Sequence, residues 1–250
     1  MHPILFRIGP LTIYTYGALM VLAFALSISC AVYHANHRTA GIILKGNDIV
    51  DLVSWGMLGG VAGGRLLFAV LNWPLFLADP FELVAIWHGG LVWYGGFIGG
   101  LFTSWIFLKG RGLSFLATGD QLAPFIAMGH AVGRVGCFMN GCCHGRPSTG
   151  WWGVESDLSN VRFVPIQLIE ALALLLLCHY LLRSQTHEAG KPVGCVFARY
   201  LLGYGLARFI IEFFRGDQVP FALGLTLPQL TSLALVAAGA FLLLRRPRSV

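Results

Sequence analysis

Seven apolar stretches, each close to the length of a bilayer crossing, leave this chain few folds to choose from. They run approximately Leu11–Tyr33, Val50–Leu71, Leu91–Leu108, Leu122–Met139, Pro165–Leu182, Val193–Phe214 and Leu227–Leu244. A helix needs about 20 apolar residues to cross the hydrocarbon core. Inside that core every backbone N–H and C=O must find its partner within the segment or in a closed barrel. Stretches of this length therefore predict helices. Charged residues are 11% of the chain, against about 25% in a soluble domain. The expected fold class is all-α: one polytopic integral membrane domain over residues 1–250, with seven transmembrane helices. Met1 to Pro10 is short and holds Pro3, Arg7 and Pro10. It does not read as a cleaved secretory leader, and the first span is expected to be retained.

The basic residues fix an orientation. Arg38 and Lys45 follow the first stretch, Lys109 and Arg111 the third, Arg183 and Lys191 the fifth, and Arg245, Arg246 and Arg248 the seventh. The loop from Asn72 to Gly90 holds Asp79 and Glu82 and no Lys or Arg. Lysine and arginine mark cytoplasmic loops, so the N-terminus is expected outside and the C-terminus in the cytoplasm. The formal charge of +6 is thus spread over alternate loops. The partner expected for it is the lipid bilayer and not a nucleic acid.

That orientation sorts the polar residues by leaflet. Tyr14 and Tyr16 open the first span, and Arg65 lies in the outer half of the second. His88 and Tyr94 stand at the start of the third. Arg134 and Asn140 close the fourth, Gln167 and Glu170 open the fifth, and Arg208, Glu212 and Arg215 close the sixth. Polar residues from six spans gather in the outer half of the bilayer. The densest group runs from Gly133 to Pro147 (GRVGCFMNGCCHGRP). Polar side chains at the end of a span need partners or a ligand, which marks this stretch as the candidate site.

Arg65, Arg134 and Arg208 each fall inside an apolar run, where a charge costs about 2.5–3.5 kcal/mol on insertion scales. One such arginine reads as a plain ion pair with Glu170 or Glu212, or as a side chain reaching for the interface. Three on one side, with few acids near them, point to an anion. In the outer leaflet that anion is a lipid phosphate, which a planar guanidinium binds in two-point fashion. Tyr204, Arg208, Ile211 and Arg215 share one helical face, and Glu212, four residues after Arg208, is placed to hold its guanidinium.

Cys137, Cys142, Cys143 and His144 are ligand types for zinc, but the spacing C-x4-C-C-H is not that of a zinc knuckle. Packing, or a polar lining for a headgroup, is expected of them; a redox pair is the other use an external loop allows. No metal and no soluble cofactor is expected. Cys30, Cys178 and Cys195 stand alone in or beside apolar runs and read as small hydrophobes. The glycines of Gly56/Gly60/Gly64, Gly59/Gly63, Gly95/Gly99 and Gly96/Gly100 recur every four residues, the interval of close helix seams. Gly89-Gly90 and Gly95-Gly96 could instead be irregular backbone around a cavity.

These motifs together resemble the prolipoprotein diacylglyceryl transferase family. The resemblance is carried by Gly133-Arg134-Val135-Gly136-Cys137-Phe138-Met139-Asn140-Gly141 through Gly145, and by Tyr204-Gly205-Leu206-Ala207-Arg208-Phe209-Ile210-Ile211-Glu212-Phe213-Phe214-Arg215. Tyr16-Gly17, Gly63-Gly64-Arg65, the glycine pairs of 88–96, and Pro165-x-Gln167-x-x-Glu170 support it, in the family's order and over nearly the whole chain. The resemblance implies transfer of the diacylglyceryl group of phosphatidylglycerol to the lipobox cysteine of a prolipoprotein signal peptide. The products would be a thioether and glycerol phosphate. It implies a multi-pass protein of the bacterial cytoplasmic membrane with its active site in the outer half. Arg134 and Arg208 match the phosphate-handling arginines. Tyr16, Asn140, Gly145, Tyr204 and Glu212 match positions that shape the site. Arg65 matches a further arginine, and Gly133 and Arg215 belong to the binding motifs.

The chain departs from the family pattern at three places. Many members have His where Tyr94 stands, Asn where Cys137 stands and Glu where Cys142 stands. A tyrosine with a pKa near 10 is a poor base at neutral pH unless neighbouring arginines lower it. Three readings of proton removal stay open: Tyr94 tuned by Arg134 or Arg208, His88 in its place, or no dedicated protein base. Two other functions compete with transfer. One is an inactive lipid-binding or scaffold protein of the same fold. The other is a redox or metal protein built on the cysteines.

Overall fold

Each of the seven apolar stretches holds one helix in the computed structural model, which describes residues 3–9, 11–38, 42–156, 159–186, 192–216, 219–222 and 224–245. The helices are α1 (Thr15–His37), α2 (Gly46–Leu71), α4 (Trp93–Gly110), α5 (Phe115–Met139), α6 (Ile166–Thr186), α7 (Cys195–Glu212) and α8 (Leu227–Leu244), with a short α3 (Trp73–Ala78) after α2. Among the described residues, α1, α2, α5, α6 and α8 are long and apolar enough to cross a membrane. The protein is a mostly helical integral membrane protein. The helices α4 and α7 are 18 residues each and stand where the third and sixth stretches were expected. Of the orienting basic residues, Lys191, Arg246 and Arg248 lie outside the described residues.

The mostly helical fold agrees with the all-α expectation, and one boundary in it needs correcting. Two small antiparallel hairpins flank the helices: β1 (Ile4–Ile8) with β2 (Leu11–Tyr14), and β3 (Val154–Ser156) with β4 (Ser159–Phe163). The first removes Leu11–Tyr14 from the expected first span, so the helix starts at Thr15. Leu-Thr-Ile-Tyr alternates and carries β-branched residues, which suits a strand. Gly9, at φ 58°, supplies the turn that a side chain would resist.

The chain divides into two compact units, Met1–Ala31 with Gly119–Val250, and Val32–Thr118. In the second unit α2 lies along α4, and the glycines explain how closely. A Cβ on Gly63 would sit 2.4 Å from the Gly95 carbonyl oxygen, and one on Gly99 2.3 Å from that of Gly59. Backbone meets backbone there, as small residues at four-residue spacing allow. Gly95 and Gly96 are therefore seam, not cavity lining. Gly63→Ala is expected to lower stability by about 1–3 kcal/mol, the usual cost of overpacking. Gly110→Ala, with nothing within 4 Å of the new methyl, is expected to leave it unchanged. Thermal unfolding of the two variants in detergent makes the comparison.

In the first unit α5, α6, α7 and α8 carry the site. Ala127 and Ala131 of α5 meet Ala171, Leu174 and Cys178 of α6 in a core of small residues. Large side chains such as Leu172, Leu176, Leu206 and Ile210 remain exposed, as lipid-facing positions are. One end of this unit is tied at Asp120, near the start of α5. Its carboxylate accepts from the backbone N–H of Phe197 at 2.7 Å and from that of Gly194, capping the start of α7. The Asp120 carbonyl cannot receive its usual helical bond, because residue 124 is a proline. Gln185, near the end of α6, donates to it instead at 2.6 Å. Three helices are thus pinned at one level.

Candidate functional site

The pin at Asp120 determines which residues meet at the other end. Arg134 lies fourteen residues beyond Asp120, about 21 Å of helix, and Arg208 lies fourteen beyond Gly194. Glu170 lies fifteen before Gln185 on the antiparallel α6, about 22 Å away. All three arrive at one depth.

They arrive in contact. Glu170 is buried, and its Oε2 lies 2.7 Å from Nη2 of Arg134 and 3.1 Å from Nη1 of Arg208. Arg208 turns its other terminal nitrogen to Glu212 Oε2 at 2.8 Å. Arg215 Nε approaches the same oxygen at 3.8 Å, and Thr226, the cap of α8, donates from Oγ1 to Glu212 Oε1 at 3.0 Å. The spacing of four that suggested an Arg208–Glu212 pair is realised. Around the network stand His130, whose Nε2 is 3.8 Å from Glu170 Oε1, and Tyr204. The Tyr204 ring stacks on Tyr200 and meets His130 edge-on, with centroids 6.0 and 5.1 Å apart. Among the described residues the guanidinium groups of Arg134, Arg208 and Arg215 stand about the carboxylates of Glu170 and Glu212. Arg134 also keeps a donor in reserve: its buried Nε has no hydrogen-bond partner among the described residues.

The loop after α5 closes over this end. Gly145 donates its N–H to the Val164 carbonyl and forms an isolated bridge with Arg215. A Cβ at Gly145 would come within 2.8 Å of the Val164 oxygen, so the glycine there is a matter of clearance. Gln167 donates from Nε2 to the Cys142 carbonyl at 2.7 Å. Tyr16 opens α1 with its ring edge 3.4 Å from where a Cβ of Gly136 would be. Gly133 is open, its nearest neighbour being Met20 Sδ at 3.6 Å, and Asn140 is exposed at the end of α5. Cys137, Cys142 and Cys143 bring their sulfurs together. The Cys143 thiol is held well below its ordinary range, at about 5, first by the hydrogen bond from Cys137 and then by the Arg215 guanidinium.

Arg65, His88 and Tyr94 belong to the other unit. Arg65 is buried and donates to a ring of carbonyls: Leu83, Gly90 and Ala85, each at 3.2 Å, and Gly89 and Glu82 more closely. Its guanidinium also lies over Phe68 and Phe76. Gly89 and Gly90, at φ 83° and 78°, turn their carbonyls inward to meet it, as only glycine does without strain. That pair is irregular backbone wrapped around an arginine. The Glu82 carboxylate stands between Arg65 Nη2, at 3.5 Å, and His88 Nδ1, at 2.8 Å. His88 is 58% exposed. Tyr94 opens α4, 42% exposed, with its ring edge-on to Trp93.

Gln167 and Glu170 were expected in the outer polar group and in the family motif, though without a role of their own at the site; Thr226 and Glu82 were not expected there. Glu170 had a visible signal: a lone acid in an apolar run, three residues after Gln167. Thr226 gave none, since its role depends on α8 returning beside α7.

The prolipoprotein diacylglyceryl transferase family matches the chain over residues 3–245. A protein of Pseudoalteromonas atlantica named phosphatidylglycerol–prolipoprotein diacylglyceryl transferase is 33% identical over 97% of this chain and 88% of its own length. Proteins of the same name from Bordetella avium and Coxiella burnetii are 37% and 35% identical. They cover 85% and 97% of this chain, and 81% and 94% of their own lengths.

Proposed function

The chain belongs to the prolipoprotein diacylglyceryl transferase family, and on that premise we propose that it moves the diacylglyceryl group of phosphatidylglycerol onto a prolipoprotein cysteine. The acceptor is the lipobox cysteine of the signal peptide. The sulfur attacks the diacylglyceryl carbon bonded to the phosphate oxygen. The C–S bond forms, the C–O bond breaks, and its electrons leave with glycerol phosphate. The thiol proton passes to a base. The observation that carries this reading is the pair of buried arginines that share Glu170, with Arg134 Nε buried and without a hydrogen-bond partner among the described residues. A buried guanidinium with a donor left unpaired is placed to take an anion. A phosphate on the leaving oxygen gains charge as the bond breaks, so fixed guanidinium groups favour the transition state over the bound lipid.

The seven helices are read as seven spans, with the N-terminus outside and the C-terminus in the cytoplasm. Residues 1–250 act as one transferase in the bacterial cytoplasmic membrane. The arginine cluster then lies in the outer half, where secreted preproteins arrive. The basic residues Arg183 and Arg199 at the Asp120 end of the unit support that direction.

For the base, the contacts within its own unit support His88 over Tyr94. Glu82 holds Nδ1 at 2.8 Å, which leaves Nε2 outward as acceptor, the arrangement of a base fixed by a carboxylate. Tyr94 has no comparable partner beyond Trp93 among the described residues. A transfer assay with purified protein in detergent, phosphatidylglycerol and a lipobox peptide tests both points. The wild type is expected to form the thioether, and Tyr94→Phe to retain activity. His88→Ala should lose about 10²–10⁴-fold, the usual contribution of a general base. Loss in Tyr94→Phe alone moves the base to the tyrosine. Activity in both variants means that the incoming thiol needs neither. A folded wild type that binds the lipid and yields no product would replace transfer with a lipid-binding role.

A further inference from the structure

The end of α5 reverses on itself in a way that its sequence spacing conceals. Gly141, at φ 72°, is the left-handed residue after the helix. The N–H of Cys142 returns to the Cys137 carbonyl at 3.2 Å and that of Gly141 to Phe138 at 3.1 Å, the paired bonds of a Schellman motif. This folds Cys142 back over Cys137, with its Sγ 3.6 Å from the Cys137 carbonyl oxygen. Adjacent cysteines in extended backbone would then point apart. Cys143 prevents this by adopting φ 61°, the one positive value at a non-glycine residue among those described. A cysteine in that region is strained where glycine would not be. The result is three sulfurs, each within 4.8 Å of the other two.

We propose that Cys137, Cys142 and Cys143 form a three-thiolate site for a soft cation, zinc(II) by preference. Zinc–thiolate bonds of about 2.3 Å set the sulfurs of one site about 3.8 Å apart, so the cluster closes on the ion by side-chain rotation. Binding puts a Zn–S bond on each sulfur, releases to water the proton of each one that is still a thiol, and needs no oxidant. The fourth position is open to water. The objection from the sequence, that C-x4-C-C is poor zinc spacing, concerns an extended or helical run and does not hold across this reversal. A disulfide pair would account for two sulfurs and leave the third unexplained. The bound ion locks the turn that follows Asn140 and whose Cys142 carbonyl is already held by Gln167. Its role is to brace the loop, independent of the chemistry at the arginines.

The test uses the full-length protein in detergent, reduced with a phosphine, stripped with a chelator and titrated with zinc chloride against a chromophoric indicator. One equivalent is expected to bind. Cys137→Ser, Cys142→Ser and Cys143→Ser should each lose stoichiometric binding, while Cys178→Ser, in the α5–α6 core, should keep it. X-ray absorption on the zinc-loaded wild type, which depends on no variant folding, should show three sulfurs at about 2.3 Å. The proposal fails if the wild type binds no zinc, if all three serine variants still bind it, or if absorption shows fewer than three sulfurs. It also fails if alkylation of protein taken directly from the membrane finds two of the three sulfurs joined in a disulfide.

Discussion

Arg208→Ala is expected to abolish diacylglyceryl transfer, and Arg208→Lys to restore only a small part of it. Arg208 is buried, with 7% of its surface exposed, and its two terminal nitrogens are directed to different acids, Glu170 at 3.1 Å and Glu212 at 2.8 Å. That fixes the plane of the guanidinium before any lipid arrives. A planar fork held in place can meet a leaving phosphate without reorganising, which a lysine on a flexible stem cannot do. Removing one such preorganised group costs about 10²–10³-fold in rate, and here the loss also unpairs Glu170 and Glu212. Thioether yield on a lipobox peptide, read by mass spectrometry, gives the rate. Growth of cells depleted of their own transferase gives the same answer in the membrane. Cys142→Ser and Cys143→Ser are the controls and should keep transfer. Rescue of growth by Arg208→Ala would remove the phosphate-clamp assignment. Loss of transfer in the cysteine variants with Arg208→Ala active would place the chemistry on the thiols.

What could be read from the sequence follows the reach of the signal involved. Seven helices were legible because a bilayer-length apolar run has one solution to its backbone hydrogen bonds. The Arg208–Glu212 pair was legible because spacing of four brings two residues together on any helix. The α2–α4 seam was legible because glycine every four residues has one main use in a membrane helix. The hairpin of Ile4–Ile8 with Leu11–Tyr14 was not, since four mostly apolar residues beside a longer apolar run look like its beginning. Arg65 shows the other limit. Its charge inside an apolar run suggested an anion, yet it donates to the carbonyls of residues 82–90, partners that no side-chain pattern announces. The gathering of Arg134, Glu170 and Arg208 depended on Asp120, Pro124 and Gln185, residues at the far end of the unit. A depth shared by three helices is set by where they are tied, and that is a property of the fold alone.

Glu170→Gln tests whether the arginine cluster holds itself together or waits for its ligand. Glu170 is 2% exposed and is the acid that Arg134 and Arg208 share. Glutamine keeps the shape and removes the charge, leaving Glu212 as the one carboxylate beside these arginines among the described residues. Taking one partner from a buried ion pair costs about 3–5 kcal/mol, because the remaining charges are left uncompensated. A lower unfolding temperature in detergent is therefore expected, together with loss of transfer. A second variant separates the two effects. Glu170→Gln with Arg134→Gln removes one charge of each sign and so returns the cluster to its wild-type net charge, and stability should recover by part of that amount. A coupling of about 0.5–3 kcal/mol is usual for residues in contact. Transfer should not recover, because the arginine that meets the phosphate is gone. Phosphatidylglycerol gives a third reading: its phosphate supplies a negative charge to the single variant, and its stabilising effect should be larger there than in the double variant. If Glu170→Gln unfolds at the wild-type temperature and transfers at the wild-type rate, the shared carboxylate is not what positions Arg134 and Arg208, and the clamp must be held from another side.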